Sequence, residues 1–482
     1  MILITCSKIT HQTIQSSLGK SEYSYFFLLN EFLPALKNIA EVVLVENTNA
    51  VDPLYQKYRK SGQTVFFLSV SPPHQTPLHL QCPTVCLFAW EFYNIPDQPW
   101  NDEPRNDWRY ALRHMAGAIA CSQESVQAVR QALGPDYPVT AIPAPVWSRF
   151  RDLHQADVLR PTDATTRSFS FSGHAIDSPL LGLSANGLVQ HWERHPPAPP
   201  RTPPKKTTPN SWQRSWKIAC AWQQALLRSR QHKRKPEPLG VQPAPSPIGL
   251  APVQDFHFDL DGVVFCSVFN PSDGRKNWKE IVTAFCWAFR DTQDATLILK
   301  MTHHDLESYR IFLLTLLSRL APFQCRVLVL HGFLDDEKYR ELVQVCDFYV
   351  NASNGEGLCL PLMEFLASGK PALAPRHSAM SDYIDEDIAV VIESSPELAC
   401  WSHDPSGLMR TQRHRIHWQS LMEGYRRCYA MARNEPDIYQ QMSQRAWEKM
   451  RDFSNIQVVS QDLATFFSAL VPNTTPTTEV HA

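Results

Sequence analysis

Short apolar runs alternate with amphipathic stretches through the second half of this chain, and that alternation leaves few folds open. Val263–Phe269 reads as a strand, Trp278–Phe289 as a helix, Thr296–Thr302 as a strand and Leu306–Leu320 as a helix. Strand Arg326–Leu330 and helix Glu337–Cys346 continue the pattern, and strands Val345–Asn351 and Pro371–Pro375 bracket one further helix. Strands alternating with helices imply a parallel sheet with helices on its faces. Residues 1–146 repeat the theme: candidate strands are Ile2–Cys6, Glu41–Val45, Thr64–Leu68, Thr84–Phe88, Gly117–Cys121 and Val139–Ile142, and candidate helices are Ser21–Leu33, Arg105–Met115 and Gln123–Leu133. The expectation is an α/β protein with two doubly wound sheets. A chain of 482 residues, 43% apolar and 20% charged, is long enough and apolar enough to build both cores.

Proline marks the break between the halves. Pro196, Pro197, Pro199, Pro200, Pro203, Pro204 and Pro209 crowd one stretch, and Pro236, Pro238, Pro243, Pro245, Pro247 and Pro252 another. Proline at that density blocks helix and sheet ladders. The expected organisation is a first domain at 1–150, a Pro-rich basic linker or insertion at 151–257, partly disordered, a second domain at 258–440, helices at 441–470 and a disordered tail at 471–482. Between the proline clusters, Trp212, Trp216, Ala219, Trp222 and Leu226 recur at helical spacing among cations. That pattern suits a helix docked on a domain with a solvated basic face, or one touching anionic lipid.

The most informative segment is 350–375, VNASNGEGLCLPLMEFLASGKPALAP. It reads as strand, tight loop with Gly355 and Gly357, helix, then Gly369 and a second strand. Pro361 suits the first helical position, and Gly369 suits a helix stop, where φ > 0 is often needed. The amides of Gly357 to Met363, Pro361 excepted, are then expected to be unpaired donors at a helix N-terminus, which attracts a diphosphate or sugar hydroxyls. Glu356 and Glu364 flank this mouth, and Glu364 is placed to accept hydrogen bonds from a ribose diol. The plain alternative is an ordinary α/β crossover whose glutamates are solvated.

Embedded in EGLCLPLMEFLASGKP after an apolar strand, the pair Glu356 and Glu364 resembles the E-x7-E signature of family-4 retaining glycosyltransferases, with GKPALAP similar to the strand that follows it. The similarity runs from about Val263 to Ile392, with a fainter echo in 1–146. The resemblance implies the GT-B fold, two Rossmann-like domains facing across a cleft, the first for the acceptor and the second for a nucleotide-sugar donor. It implies that Glu364 binds the nucleotide ribose, that Glu356 lies beside the donor sugar, and that Gly357, Leu358 and Cys359 cradle the sugar and phosphates. In NPSDGRKNW, Lys276 aligns with the family's phosphate-binding lysine. The family's arginine falls where this chain has Asn270 or Pro271, and Arg275 is the candidate to replace it. Two cations in a βα loop suit a diphosphate leaving group, as they suit a solvated basic turn. Gly19 matches a glycine loop that approaches the donor, although Leu18 replaces the usual second glycine. Glu91, beside Trp90 and just beyond a strand, is the acceptor-side candidate.

Other motifs resolve less well. GKS at 19–21 lacks the earlier glycine of a P-loop, since Ile14 stands there, which disfavours a nucleoside triphosphatase. Asp259 and Asp261 mimic a phosphatase nucleophile motif, but the apolar strand follows the pair instead of preceding it. No C-x2-C pair occurs among the 12 cysteines (Cys6, Cys82, Cys86, Cys121, Cys266 and Cys346 among them), so zinc is not expected. A net charge of −2 argues against nucleic acid as a partner. MILITCSKI reads as a strand with no leader, and no apolar run reaches the length of a membrane span. The sequence-level expectation is thus a metal-independent glycosyltransferase needing no cofactor, with a nucleotide-sugar as donor and a glycan, lipid or protein as acceptor. It would be cytoplasmic, with peripheral contact to an anionic membrane. The alternatives are a degenerate sugar-nucleotide-binding scaffold and a two-carboxylate glycoside hydrolase.

Overall fold

The computed structural model describes residues 1–6, 21–158, 166–181, 253–303, 306–401 and 409–471, with isolated positions at 183, 216, 223, 404 and 407. Gly19, nearly all of the stretch between the proline clusters and residues 472–482 lie outside the described residues. Met1–Ala185 with Val253–Ala482 forms one compact unit, and Asn186–Pro252 forms another. Both large sheets belong to the first unit.

The first sheet is built from β1 (Ile2–Cys6), β2 (Glu41–Val45), β3 (Val65–Val70), β4 (Thr84–Phe88), β5 (Gly117–Ala120) and β6 (Val139–Ala141), in the order β2-β1-β3-β4-β5-β6. All five pairings are parallel. Helices α1 (Ser21–Ile39), α2 (Val51–Lys60), α3 (Trp108–Arg113), α4 (Gln123–Leu133) and α5 (Trp147–Val158) accompany it. The central strands are buried on both faces, as the unbroken apolar runs VFFLSV and TVCLF require. Ser122 caps α4 by accepting from the Ser125 amide, satisfying one of the unpaired donors at the helix start.

The second sheet contains eight strands: β7 (Thr166–Asp177), β8 (Gln254–Asp261), β9 (Val263–Phe269), β10 (Ala295–Met301), β11 (Arg326–His331), β12 (Phe348–Val350), β13 (Ala372–Pro375) and β14 (Ala389–Ile392). Their order is β14-β13-β12-β9-β10-β11-β7-β8. The six strands from β9 onward run parallel, whereas β7 is antiparallel to both β11 and β8. Helices α6 (Trp278–Ala288), α7 (Leu306–Leu320), α8 (Asp336–Val345) and α9 (Leu360–Ala367) cross between the parallel strands. A hairpin of β15 (Ser394–Cys400) and β16 (Arg410–Ile416) follows, then α10 (Trp418–Asn434), α11 (Pro436–Ser454) and α12 (Ile456–Leu470).

The expected linker at 151–257 differs from the structure at both ends. Residues 151–158 complete α5, and 166–177 with 254–261 pair strand to strand as the edge of the second sheet. The Pro-rich segment is therefore inserted between two partner strands of the second domain. Alternation explains the strands: Phe169 and Phe171 on β7, and Phe258 and Leu260 on β8, are buried while their neighbours are mostly exposed. Helix α12 lies on the first domain: the Asn38 Nδ2 donates to Ser460 Oγ at 3.2 Å and the rings of Phe66 and Phe467 are 5.4 Å apart.

Open α/β sheets bind ligands beyond the carboxyl ends of their strands, where the strand order reverses. In the second sheet that point lies between β9, which leads outward to β10 and β11, and β12, to which the chain returns. The loops 270–277 after β9 and 351–359 after β12 therefore face each other across the crevice.

Candidate functional site

Glu356 is the centre of the site. It is 2% exposed, and its carboxylate accepts from Lys276 Nζ at 2.7 and 2.8 Å, Arg275 Nη1 at 3.0 Å, Ser353 Oγ at 2.6 Å and Asn351 Nδ2 at 3.1 Å. Burial alone would raise its pKa, but the charges of Lys276 and Arg275 and the bonds from Lys276 and Ser353 hold it well below the usual carboxylate range. The two cations come from the short turn 274–276, which Asp273 caps by accepting from the Arg275 amide. Burial disfavours the charge of Arg275, yet Glu91, Asp273 and Glu356 together raise its pKa. Its Nε lies 3.0 Å from Asp273 Oδ2 and 3.3 Å from Glu91 Oε1, and its Nη1 donates to the Gly355 carbonyl at 2.7 Å. Glu91 is thereby brought to the site from the first domain.

The 351–359 loop lies flush against the first domain. A Cβ on Gly357 would come within 2.8 Å of the Trp90 nitrogen, and one on Gly355 within 2.8 Å of the Glu91 carbonyl oxygen. Close backbone approach, more than turn geometry, is what glycine permits at these two positions. Cys359 adopts φ +66°, starting α9 without a side-chain cap, and burial, followed by the nearby Glu356, pushes its thiol pKa up to about 12. Leu358 is buried, and its carbonyl accepts from Tyr383 at 2.8 Å. Two local expectations need correction. Leu360, not Pro361, opens the helix, so proline sits one position further in. Met363 is not an unpaired donor, because its amide bonds to the Cys359 carbonyl at 3.2 Å once the first turn closes. Gly369, at φ +75°, ends the helix as expected.

Glu364 lies among groups from α1, α5 and α8. It is 6% exposed, accepts from the Tyr339 hydroxyl at 2.6 Å and lies 3.6 Å from Arg149 Nη2. Burial raises its pKa, opposed by Arg149 and Tyr339. The same Arg149 donates to Glu31 at 2.5 Å. The structure thus gathers Glu356, Lys276, Arg275 and Glu91 in one network, with Glu364 in a second cluster about one turn inside α9. Asp259 and Asp261 lie on the edge strand β8, and among the described residues no three His, Cys, Asp or Glu side chains are grouped as metal ligands.

Several participants escaped sequence reasoning. Asn351 and Ser353 stand within five residues of Glu356, so the loop itself was their signal. His377 and Ser378 follow β13: Ser378 Oγ accepts from the Glu356 amide at 2.9 Å, and the His377 ring stacks on His414 of β16 at 4.1 Å. Burial, then His414, lowers the His377 pKa to about 3, so the ring is neutral. Glu31, Arg149 and Tyr339 come from three separate helices and carried no local signal.

This arrangement of two mainly parallel sheets, with the site at the reversal point of the second, is the GT-B fold. The chain is similar in structure to HepE from Anabaena, solved in complex with UDP and glucose (13% identity, TM-score 0.51, covering 97% of this chain and 100% of that one). It is similar to a glycosyltransferase from Rickettsia africae (10% identity, TM-score 0.52, covering 98% and 99%) and to sucrose-phosphate synthase from Thermosynechococcus elongatus (12% identity, TM-score 0.52, covering 98% and 99%). No protein-family model and no curated protein matches the sequence.

Proposed function

We propose that this protein is a retaining glycosyltransferase of the family-4 type, moving a sugar from a nucleotide-sugar to an acceptor hydroxyl of a glycan, lipid or protein. The observation that carries the reading is the meeting of Lys276, Arg275 and Glu356 at the reversal point of the second sheet, eight residues before Glu364 in the E-x7-E pattern. Two structural neighbours, one solved as a glycosyltransferase and the other, HepE, with UDP and glucose bound, share the fold and support it.

Departure of the nucleotide concentrates negative charge on the diphosphate. Lys276 and Arg275 would stabilise that charge with no metal required, and positioned cations in a water-poor site act most strongly in the transition state. Glu356 would orient the cations and contact the sugar, Glu364 would hold the ribose, and Gly357, Leu358 and Cys359 would line the donor. Glu91, tied to Arg275, would face the acceptor, which attacks from the leaving-group side. A glycoside hydrolase would need carboxyl groups placed across a sugar, and the cations beside Glu356 give no reason for that chemistry.

A second reading, a sugar-nucleotide-binding scaffold, draws on one observation: both site cations are already taken by carboxylates. Calorimetry with UDP, GDP and ADP, followed by turnover assays with the matching sugar nucleotides, tests both. Binding with turnover supports the enzyme, binding without turnover to any acceptor supports the scaffold, and no binding refutes both. No helix among the described residues is long and apolar enough to cross a membrane.

A further inference from the structure

Glu31, Arg149 and Glu364 carry two carboxylates and one guanidinium. Arg149 Nη1 reaches Glu31 Oε1 at 2.5 Å and its Nη2 lies 3.6 Å from Glu364 Oε1, while among the described residues its Nε has no hydrogen-bond partner. Glu31 and Glu364 are 6% exposed each. Among the described residues, the groups facing them add no second cation. Tyr339 of α8 donates to Glu364, Asp336 at the start of α8 acts on both acids with a like charge, and Arg340 is occupied by Asp152 and the Arg149 carbonyl. Two buried carboxylates sharing one cation cannot both ionise at ordinary cost, so one of them holds its proton to a higher pH than an exposed glutamate. Consistent with that, burial and, against the pull of Arg149, the charge of Glu364 bring the Glu31 pKa to about 7.

We propose that Glu31 and Arg149 are positioning residues for Glu364, forming a clasp between the two domains that gives up its shared proton when a nucleotide ribose binds. The inference rests on the ribose role proposed for Glu364. In the empty clasp the carboxylates compete for Arg149. A ribose diol donates to Glu364 and stabilises its ionised form. Arg149 is then free to neutralise Glu31, and the proton leaves to solvent. The net charge of the three side chains goes from zero to −1, with two sugar hydroxyls replacing what the proton supplied. The reach from α1 and α5 to α9 also couples nucleotide capture to the contact between domains.

The test is calorimetry of UDP binding near pH 7 in buffers of different ionisation enthalpy, which counts protons exchanged. With the Glu31 pKa at about 7, about half of the clasps hold the proton at this pH, so wild-type protein is expected to release up to about half a proton per UDP bound, and more at pH 6. Glu31→Gln leaves a single carboxylate paired with Arg149 in both states, so it should bind UDP with no proton release. Equal proton release in the two proteins overturns the clasp. If UDP, GDP and ADP all fail to bind, the enzymatic reading falls and the clasp is judged on the unliganded protein. Chemical denaturation from pH 5 to 8 should then show wild type losing stability relative to Glu31→Gln as pH rises, and parallel curves overturn it. Should Glu31→Gln not fold, infrared titration of wild type decides: a buried carboxyl band that disappears near neutral pH supports the clasp, and none refutes it.

Discussion

Replacing Glu356 by glutamine separates the two roles of this carboxylate. The side chain is 2% exposed and receives four donor groups, two of them cationic. In Glu356→Gln, Arg275 keeps Asp273 at 3.0 Å and Glu91 at 3.3 Å, but Lys276 loses the carboxylate that is its ion-pair partner. Removing one partner of a buried ion pair costs about 3–5 kcal/mol, and the low end, about 3 kcal/mol, applies because the Arg275 pairs survive. The Lys276 side chain is also 17% exposed and can turn partly toward water, which lowers the cost further. Urea unfolding should show a lower midpoint with an unchanged slope. The sign of the pH effect follows from the depressed pKa: the Glu356 contribution is present above the 4.5 of an ordinary glutamate and is lost as pH falls below it, so the gap between the proteins should narrow in acid. A further consequence distinguishes a site from a structural pair. With Glu356 neutral, Lys276 is released to an incoming anion while Arg275 keeps its other pairs, so UDP should raise the melting temperature of the variant more than that of wild type. Equal stability of the two proteins at pH 7, together with an equal shift by UDP, would refute the reasoning.

Lys276→Ala should lower turnover by on the order of 10²-fold or more with a smaller change in donor affinity, since it meets charge that grows as the diphosphate leaves; a change confined to the apparent donor constant would mean uniform binding. Glu364→Ala should weaken nucleotide binding measured by calorimetry while leaving turnover of bound donor nearly intact. Gly357→Ala places a methyl 2.8 Å from the Trp90 nitrogen. It should cost about 1–3 kcal/mol of overpacking or push the domains apart, readable as a lower unfolding midpoint or a larger radius of gyration in solution scattering.

Much of the fold was legible because its strands announce themselves. Fully buried parallel strands such as VVFCSVF and VFFLSV are continuous apolar runs, and the helices between them show a clear period. The candidate site was legible for the same reason: its residues sit in loops fixed by those strands and by Gly369. What stayed hidden was set by distance in the chain. Strands β7 and β8 are separated by the Pro-rich insertion, and their alternation carried meaning only once paired. Helix α2 was missed because its four buried or half-buried apolar and aromatic positions are few among lysines and an arginine. The β15–β16 hairpin reads as polar loop, RTQRHRI, because one of its faces is solvated. The link from Glu364 to Arg149 and Glu31 joins residues more than 200 positions apart, beyond what any local pattern reports.

The packing of α12 on α1 has a consequence for how the protein is made. Asn38 and Ala35 bond to Ser460, Phe66 packs at a tilt against Phe467, and Phe466 sits beside Gly117, so a face of the first domain is completed by residues 456–470. At roughly 5–20 residues per second on the ribosome, that face waits tens of seconds after its own strands have emerged. During that interval Phe66 and Gly117 of the nascent first domain are without the aromatic rings that cover them in the finished fold.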